Sequence, residues 1–338
     1  MTDLTRRRFV LGATSLPLVA GAGGARGANK AEFVYKYGND VPPTHPVTLR
    51  AQEAASRILE ESGGRLEIRV FPNNQLGGST DLMSQLRSGA LEMFTLSGSI
   101  LATLAKPTSI NAVGYAFPDR ARVWDALDGE LGRFQRGVIS KLGLHALERV
   151  WENGFRQITT STHPIHTPED LRGFKIRVPV SPQAVSLFKA LGAAPTAVNL
   201  TEVYSALQTR VVDGQENSLQ LIELSRFQEV QKYVSITNHS WDGFFFTFNA
   251  RAWSRLPSSL QAIVAKHMNA AALAQRDDMV RLNAASEEKL RKAGLVFNAT
   301  DPARFRATLS AAGYYRDWKS IYGAEAWSVL ERYAGPLA

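Results

Sequence analysis

Residues 171–218, LRGFKIRVPVSPQAVSLFKALGAAPTAVNLTEVYSALQTRVVDGQENS, constrain the fold more than any other part of the chain. The run Phe174-Lys175-Ile176-Arg177-Val178 alternates, placing Ile176 and Val178 on one face of a strand and Lys175 and Arg177 on the other. Pro179 and Pro182 remove two ladder donors, and residues 183–191 then read as a short helix closed by Gly192. A second helix runs from a cap at Asn199 or Thr201 through Leu207, with Val203, Ala206 and Leu207 on one stripe. It delivers a short strand, Val211-Val212-Asp213, and the polar tetrad Gly214-Gln215-Glu216-Asn217 at its end. This order of elements predicts an α/β sheet, and ligands of open α/β sheets bind at the carboxyl ends of strands. Arg177 at one strand end, with Asn217 and Gln215 at its neighbour's, would present donors suited to an anion.

Earlier in the chain the pattern is echoed. Leu86-Arg87-Ser88-Gly89-Ala90-Leu91-Glu92 aligns with Leu207-Gln208-Thr209-Arg210-Val211-Val212-Asp213, and Leu66-Glu67-Ile68-Arg69-Val70 with Phe174-Lys175-Ile176-Arg177-Val178. Echoes in the same order predict two α/β lobes of like topology facing a cleft. Strands are expected over 32–37, 65–71 and 89–94, and helices over 46–61 and 81–88. The first strand ends at Gly38-Asn39-Asp40 and the third leads to Ser97-Gly98-Ser99, so Asn39 and Ser97 join the candidate cleft residues. A first crossover is expected near Gly154, with Arg156 just beyond it facing the cleft. Trp241, beside His239 and Asp242 at the second crossover, is either cleft wall or hinge packing. Residues 257–294 hold almost no breaker and predict a helix of roughly 55 Å, longer than one lobe.

Composition narrows function mainly by exclusion. The chain has no cysteine, which excludes disulfides, thiolate metal sites, a thiol nucleophile and a lipidated cysteine. Of the net charge of +8, Arg6, Arg7, Arg8 and Arg26 against Asp3 place +3 near the N-terminus, leaving +5. No basic run is interleaved with aromatics, so no nucleic-acid partner is expected. Thr5-Arg6-Arg7-Arg8-Phe9-Val10-Leu11-Gly12 reads as a twin-arginine export signal. The apolar stretch after it contains Pro17 and is too short to span a bilayer, so cleavage between Ala25 and Ala31 and a periplasmic product are expected. His163-Pro164-Ile165-His166 has no third ligand nearby, and no metal or cofactor is expected.

The strings KIRVP, PTAVNLTEVYSALQT and VVDGQEN resemble the DctP family, the solute-binding proteins of tripartite ATP-independent periplasmic (TRAP) transporters. The resemblance implies a two-lobe periplasmic-binding-protein fold with hinge crossovers and a long helix along both lobes. On it, residues 1–28 form the signal peptide, 30–154 plus 243–282 lobe I, and 155–242 plus 283–338 lobe II. It further implies that Arg177 forms a bidentate salt bridge with a ligand carboxylate, that Asn217 orients it, and that Arg156 contacts it. A monomer working with the membrane subunits of a TRAP transporter is implied as well. Leu200 stands where several members carry an aromatic, and Ser97 where sialic-acid binders carry a glutamate. These departures disfavour a sugar acid of that type and leave less polar mono- or dicarboxylates, 2-oxo acids and aromatic acids open.

Catalytic chemistry is thin. There is no G-x-S-x-G elbow, HExxH, P-loop or diagnostic carboxylate pair, so a binder is expected rather than an enzyme. A periplasmic enzyme acting on an anion, or a ligand-sensing module feeding a receptor, are the alternative readings.

Overall fold

The computed structural model describes residues 31–337; the expected export signal, up to Lys30, lies outside them. Among the described residues, twelve strands fall into two sheets. The first contains β1 (Phe33–Gly38), β2 (Leu66–Phe71), β3 (Met93–Ser97), β4 (Leu144–Ala146) and β5 (Trp151–Phe155). The second takes β6 (Gln157–Thr160), β7 (Lys175–Val178), β8 (Ala194–Ala197), β9 (Gly214–Asn217) and β10 (Tyr233–Ile236). The chain then returns to the first sheet with β11 (Trp241–Asn249) and closes the second with β12 (Val296–Ala299).

The two sheets share a topology. β1 lies parallel between β2 and β3, with antiparallel β11 beyond β3. Likewise β7 lies parallel between β8 and β9, with antiparallel β6 beyond β9. Thus β1 corresponds to β7, β2 to β8 and β3 to β9. The echo between residues 66–70 and 174–178 therefore pairs an edge strand with a central one and is not a true correspondence. Alternation reports that a strand is half-buried, not its place in the sheet order. The second echo does mark equivalent elements, since helix Ser79–Ser88 leads into β3 as helix Leu200–Gln208 leads into β9.

In both lobes the strand after that helix starts later than expected, at Met93 and at Gly214. Residues 209–213 form the turn instead: Arg210 has φ of 57° and Val211 is 60% exposed. The polar tetrad is thus the strand itself. Buried acids and amides hold a strand position when each finds a partner, as Gln215 does with Thr159 and Glu216 with Arg156.

The first crossing falls at Arg156, between β5 and β6, and Gly154 just before it has φ of +112°, a left-handed conformation open to glycine. The return crossing falls at residues 237–240, because Trp241 and Asp242 already pair with Phe155 and Gly154. Both belong to the first sheet, not to the second lobe as the expected boundary at 242 had it. Helix Ser258–Lys292 runs along both lobes, its Gln275 bonded to Glu152 and its Ser286 to Glu223. The segment after residue 283 is also shared. Helix Pro302–Ala311 packs on helix Pro182–Ala190, whereas helix Ala324–Ala334 packs on helices Arg120–Leu127 and Glu130–Ser140 of the first lobe. Tyr314, Trp318, Tyr322 and Trp327 join a core with residues of that lobe, so apolar burial rather than chain order sets this division.

Candidate functional site

The carboxyl ends of the central strands of both lobes meet around one cavity. Asp40 follows β1, Ser97 ends β3, Pro179 and Val180 follow β7, and Asn217 ends β9. Asn153 and Arg156 enter from the first crossing, Asp242 and Phe244 from β11, and Asn199 and Leu200 from the start of a helix. With the lobes in this arrangement, the space inside the cavity open to the centre of a water-sized sphere is about 40 Å³. Beside it, Asn199 Nδ2 in one lobe donates to Thr80 Oγ1 in the other at 3.3 Å.

Arg177 dominates the chemistry. Lys175, on the same strand face, is exposed, but the carboxyl end of β7 enters the gap between lobes and leaves Arg177 only 2% exposed. Its Nε and Nη2 donate to the Val198 carbonyl at 2.9 and 2.7 Å, which fixes the plane of the guanidinium. Among the described residues the buried Nη1 has no partner, and no carboxylate lies within 4 Å of the guanidinium. Burial pulls the Arg177 pKa down to about 9.

Arg156 is differently placed. It makes a bidentate pair with Glu216, whose Oε1 accepts from Nη2 at 2.9 Å, and Nη2 also donates to the Glu216 carbonyl at 2.8 Å. His239 Nε2 donates to the same carboxylate at 3.0 Å, and Thr237 Oγ1 lies 2.9 Å from Nδ1. Burial pushes Glu216 up, but Arg156 and His239 outweigh it and hold the carboxyl at about 2. Arg156 Nη1 then lies 3.6 Å from Asp242 Oδ2.

Asp242 accepts from Ser97 Oγ at 2.7 and 2.9 Å and from Asn153 Nδ2 at 3.4 Å. Asp40 accepts from Ser79 Oγ at 2.6 Å. Burial raises the pKa of both acids. Asn217 turns its Oδ1 to the Ser218 amide at 3.1 Å, leaving Nδ2 with no hydrogen bond to the described residues.

Five of the eight candidates from the sequence, Arg177, Arg156, Asn217, Ser97 and Leu200, line the cavity. The other three do not. Asn39 accepts from Val41 N at 3.2 Å and Thr48 Oγ1 at 3.3 Å, tying down the turn that presents Asp40. Gln215 is spent inside the sheet, its Nε2 on Thr159 Oγ1 at 2.9 Å. Trp241 is 1% exposed and meets Trp124 edge-on at 5.1 Å, so of its two readings hinge packing describes it. Sequence reasoning passed over Asp40 and Asp242, although each sits beside a residue it chose, Asn39 and Trp241.

The model of the bacterial extracellular solute-binding protein family 7, DctP, matches residues 37–318. This chain belongs to the DctP family. Among DctP relatives, the 2,3-diketo-L-gulonate-binding periplasmic protein of Escherichia coli is 30% identical, with 75% of this chain and 77% of that one covered. A TRAP periplasmic solute-binding protein of Sulfurospirillum deleyianum, solved with succinate, is 30% identical at a TM-score of 0.82, covering 88% of this chain and 98% of that one. One from Roseobacter denitrificans, solved with β-D-glucuronate, is 26% identical at a TM-score of 0.85, covering 89% and 99%. The fold described above is the DctP fold: two α/β lobes, hinge crossings and a long helix along both.

Proposed function

We propose that this DctP-family protein captures a small organic carboxylate in the cavity between its lobes and delivers it to the membrane subunits of a TRAP transporter. The observation that carries the reading is Arg177, a buried guanidinium at the cavity that, among the described residues, has no ion pair and leaves one nitrogen unpartnered. An unpaired buried charge costs several kcal/mol, and an anionic ligand is the natural partner. A carboxylate seated there would be oriented by Asn217 Nδ2, with Arg156 contributing only the nitrogen that Glu216 leaves available. The succinate and glucuronate seen in related TRAP proteins support an acid as the ligand class.

A thermal-shift screen of the protein against a carboxylate library tests this reading. An acid present at a hundred times its dissociation constant adds about 2.7 kcal/mol of stability. No shift with any acid at millimolar concentration, alongside a shift with neutral or cationic solutes, would remove it.

For localisation we propose a periplasmic protein exported by the twin-arginine route, on the strength of Arg6-Arg7 ahead of an apolar run. Replacing both with lysine is expected to leave uncut precursor in the cytoplasm, read by fractionation and immunoblot. Normal periplasmic accumulation of the double variant would show that another route carries it.

A further inference from the structure

The cavity carries more negative charge than a simple acid-binding site needs. Apart from Glu216, which Arg156 and His239 already hold, two carboxylates line it or its entrance: Asp40 and Asp242. Asp242 is supplied with donors by Ser97 and Asn153 and has Arg156 Nη1 at 3.6 Å. Asp40 is not so supplied. Ser79 donates to its Oδ2, but Oδ1 has no side-chain donor, and among the described residues no cation lies within 4 Å of it. It follows the central strand β1 as Pro179 follows the equivalent strand β7 two residues beyond Arg177, so the acid and the arginine come from matching ends of facing lobes.

A ligand with its carboxylate on Arg177 therefore extends toward acceptors. A second carboxylate there would meet like charge in a site of low dielectric, whereas a hydroxyl would find an acceptor waiting. We propose that the bound acid is a hydroxylated monocarboxylate, and that Asp40 selects it by accepting a hydrogen bond from a ligand hydroxyl. This rests on the reading of Arg177 as the carboxylate anchor. Burial raises the Asp40 pKa, and the Ser79 hydrogen bond and the charge of Arg177 offset it only in part, in keeping with a carboxylate that has acceptor capacity left for a ligand. The inference departs from the expectation drawn from Ser97 and Leu200. The carboxylate missing at position 97 is brought by Asp242 from the neighbouring strand, with Ser97 bonded to it.

The test is calorimetry on the purified wild type and Asp40→Asn, with a panel of three- to six-carbon acids in three chain-matched sets: hydroxylated monocarboxylates (aldonic and uronic acids), dicarboxylates and unsubstituted monocarboxylates. The tightest wild-type ligand is expected in the first set. Asp40→Asn should weaken it by about 10- to 100-fold, the share of one hydrogen bond to a charged group, and should bind dicarboxylates better than wild type does. Ser79→Ala, which frees the Asp40 carboxylate to turn, should give a smaller loss confined to the hydroxylated acids. A dicarboxylate or unsubstituted acid as the tightest ligand overturns the inference and leaves the carboxylate reading standing. So does an equal loss across all three sets in Asp40→Asn, which would mark a structural role. Heat from none of the acids would overturn the carboxylate reading and this one with it.

Discussion

Arg177→Ala is expected to weaken binding of the best acid by about 30- to 4,000-fold, the 2–5 kcal/mol typical of leaving one member of a buried charge pair alone. The guanidinium is already held by two bonds to the Val198 carbonyl, so a ligand meets a cation whose orientation is fixed in advance. Arg177→Lys should recover little, because an ammonium cannot reproduce the planar fork. Stability of the unliganded protein should move the other way. Burial holds the Arg177 pKa down at about 9, which means that the fold bears a cost for this charge when no anion is present. Arg177→Met, which keeps the apolar stem and drops the charge, is expected to melt at or above the wild-type temperature while losing acid binding. Calorimetry and thermal melting on the same samples read both effects. Acid affinity in Arg177→Ala and Arg177→Lys close to that of wild type would show that the ligand carboxylate sits elsewhere.

Glu216→Gln is expected to act on stability first. Glu216 is the centre of a buried cluster in which Arg156 pairs with it bidentately and His239 donates to it. Removing one partner of a buried pair costs about 3–5 kcal/mol, since the remaining charge keeps its desolvation penalty. In a protein of this size that is a fall of roughly 5–10 °C in Tm. The effect should depend on pH in a definite sense. The folded-state pKa of Glu216, about 2, lies below its ordinary 4.5, so its contribution is complete above 4.5 and is lost as pH falls toward 2. Asp40 and Asp242 are shifted upward by burial and act in the opposite sense, but they are common to both proteins. The Tm gap between wild type and Glu216→Gln should therefore be wide at pH 7 and narrow below pH 4.5. A gap that stays constant over that range would assign the loss to packing rather than charge.

Much of the architecture was legible because its signals are local. Helix 46–61 is bounded by Pro46 at its first turn and the Ser62-Gly63-Gly64 stop, and the structure has a helix over those residues. The long helix followed from an unbroken run of apolar spacing, and the structure has it at Ser258–Lys292. The first crossover was marked by Gly154, whose positive φ is a property of one residue. The site was legible in outline for the same reason: Arg177, Asn217 and Ser97 stand at or next to strand ends, and strand ends can be read from punctuation by proline and glycine.

Residue order by itself determined the long helices, the alternation of strand and helix, the first change of lobe near Gly154 and the arginine at the end of β7. It could not settle which partner each polar residue finds, because that depends on side chains brought together from distant positions. Glu216 was read as part of a polar tetrad at the end of a strand, yet it lies in the strand itself because Arg156, 60 residues earlier, and His239, 23 later, converge on it. Gln215 and Asn39 have the right chemistry for a cleft, but nearer acceptors and donors occupy them. Asp242 reaches the cavity only because β11 returns to the first sheet before Trp241, a choice made by pairing with β5. Hydrogen bonds and ion pairs between strands are long-range in sequence and short-range in space. Only the tertiary structure could decide which of these charges is satisfied by the protein and which, as at Arg177, is left for a ligand.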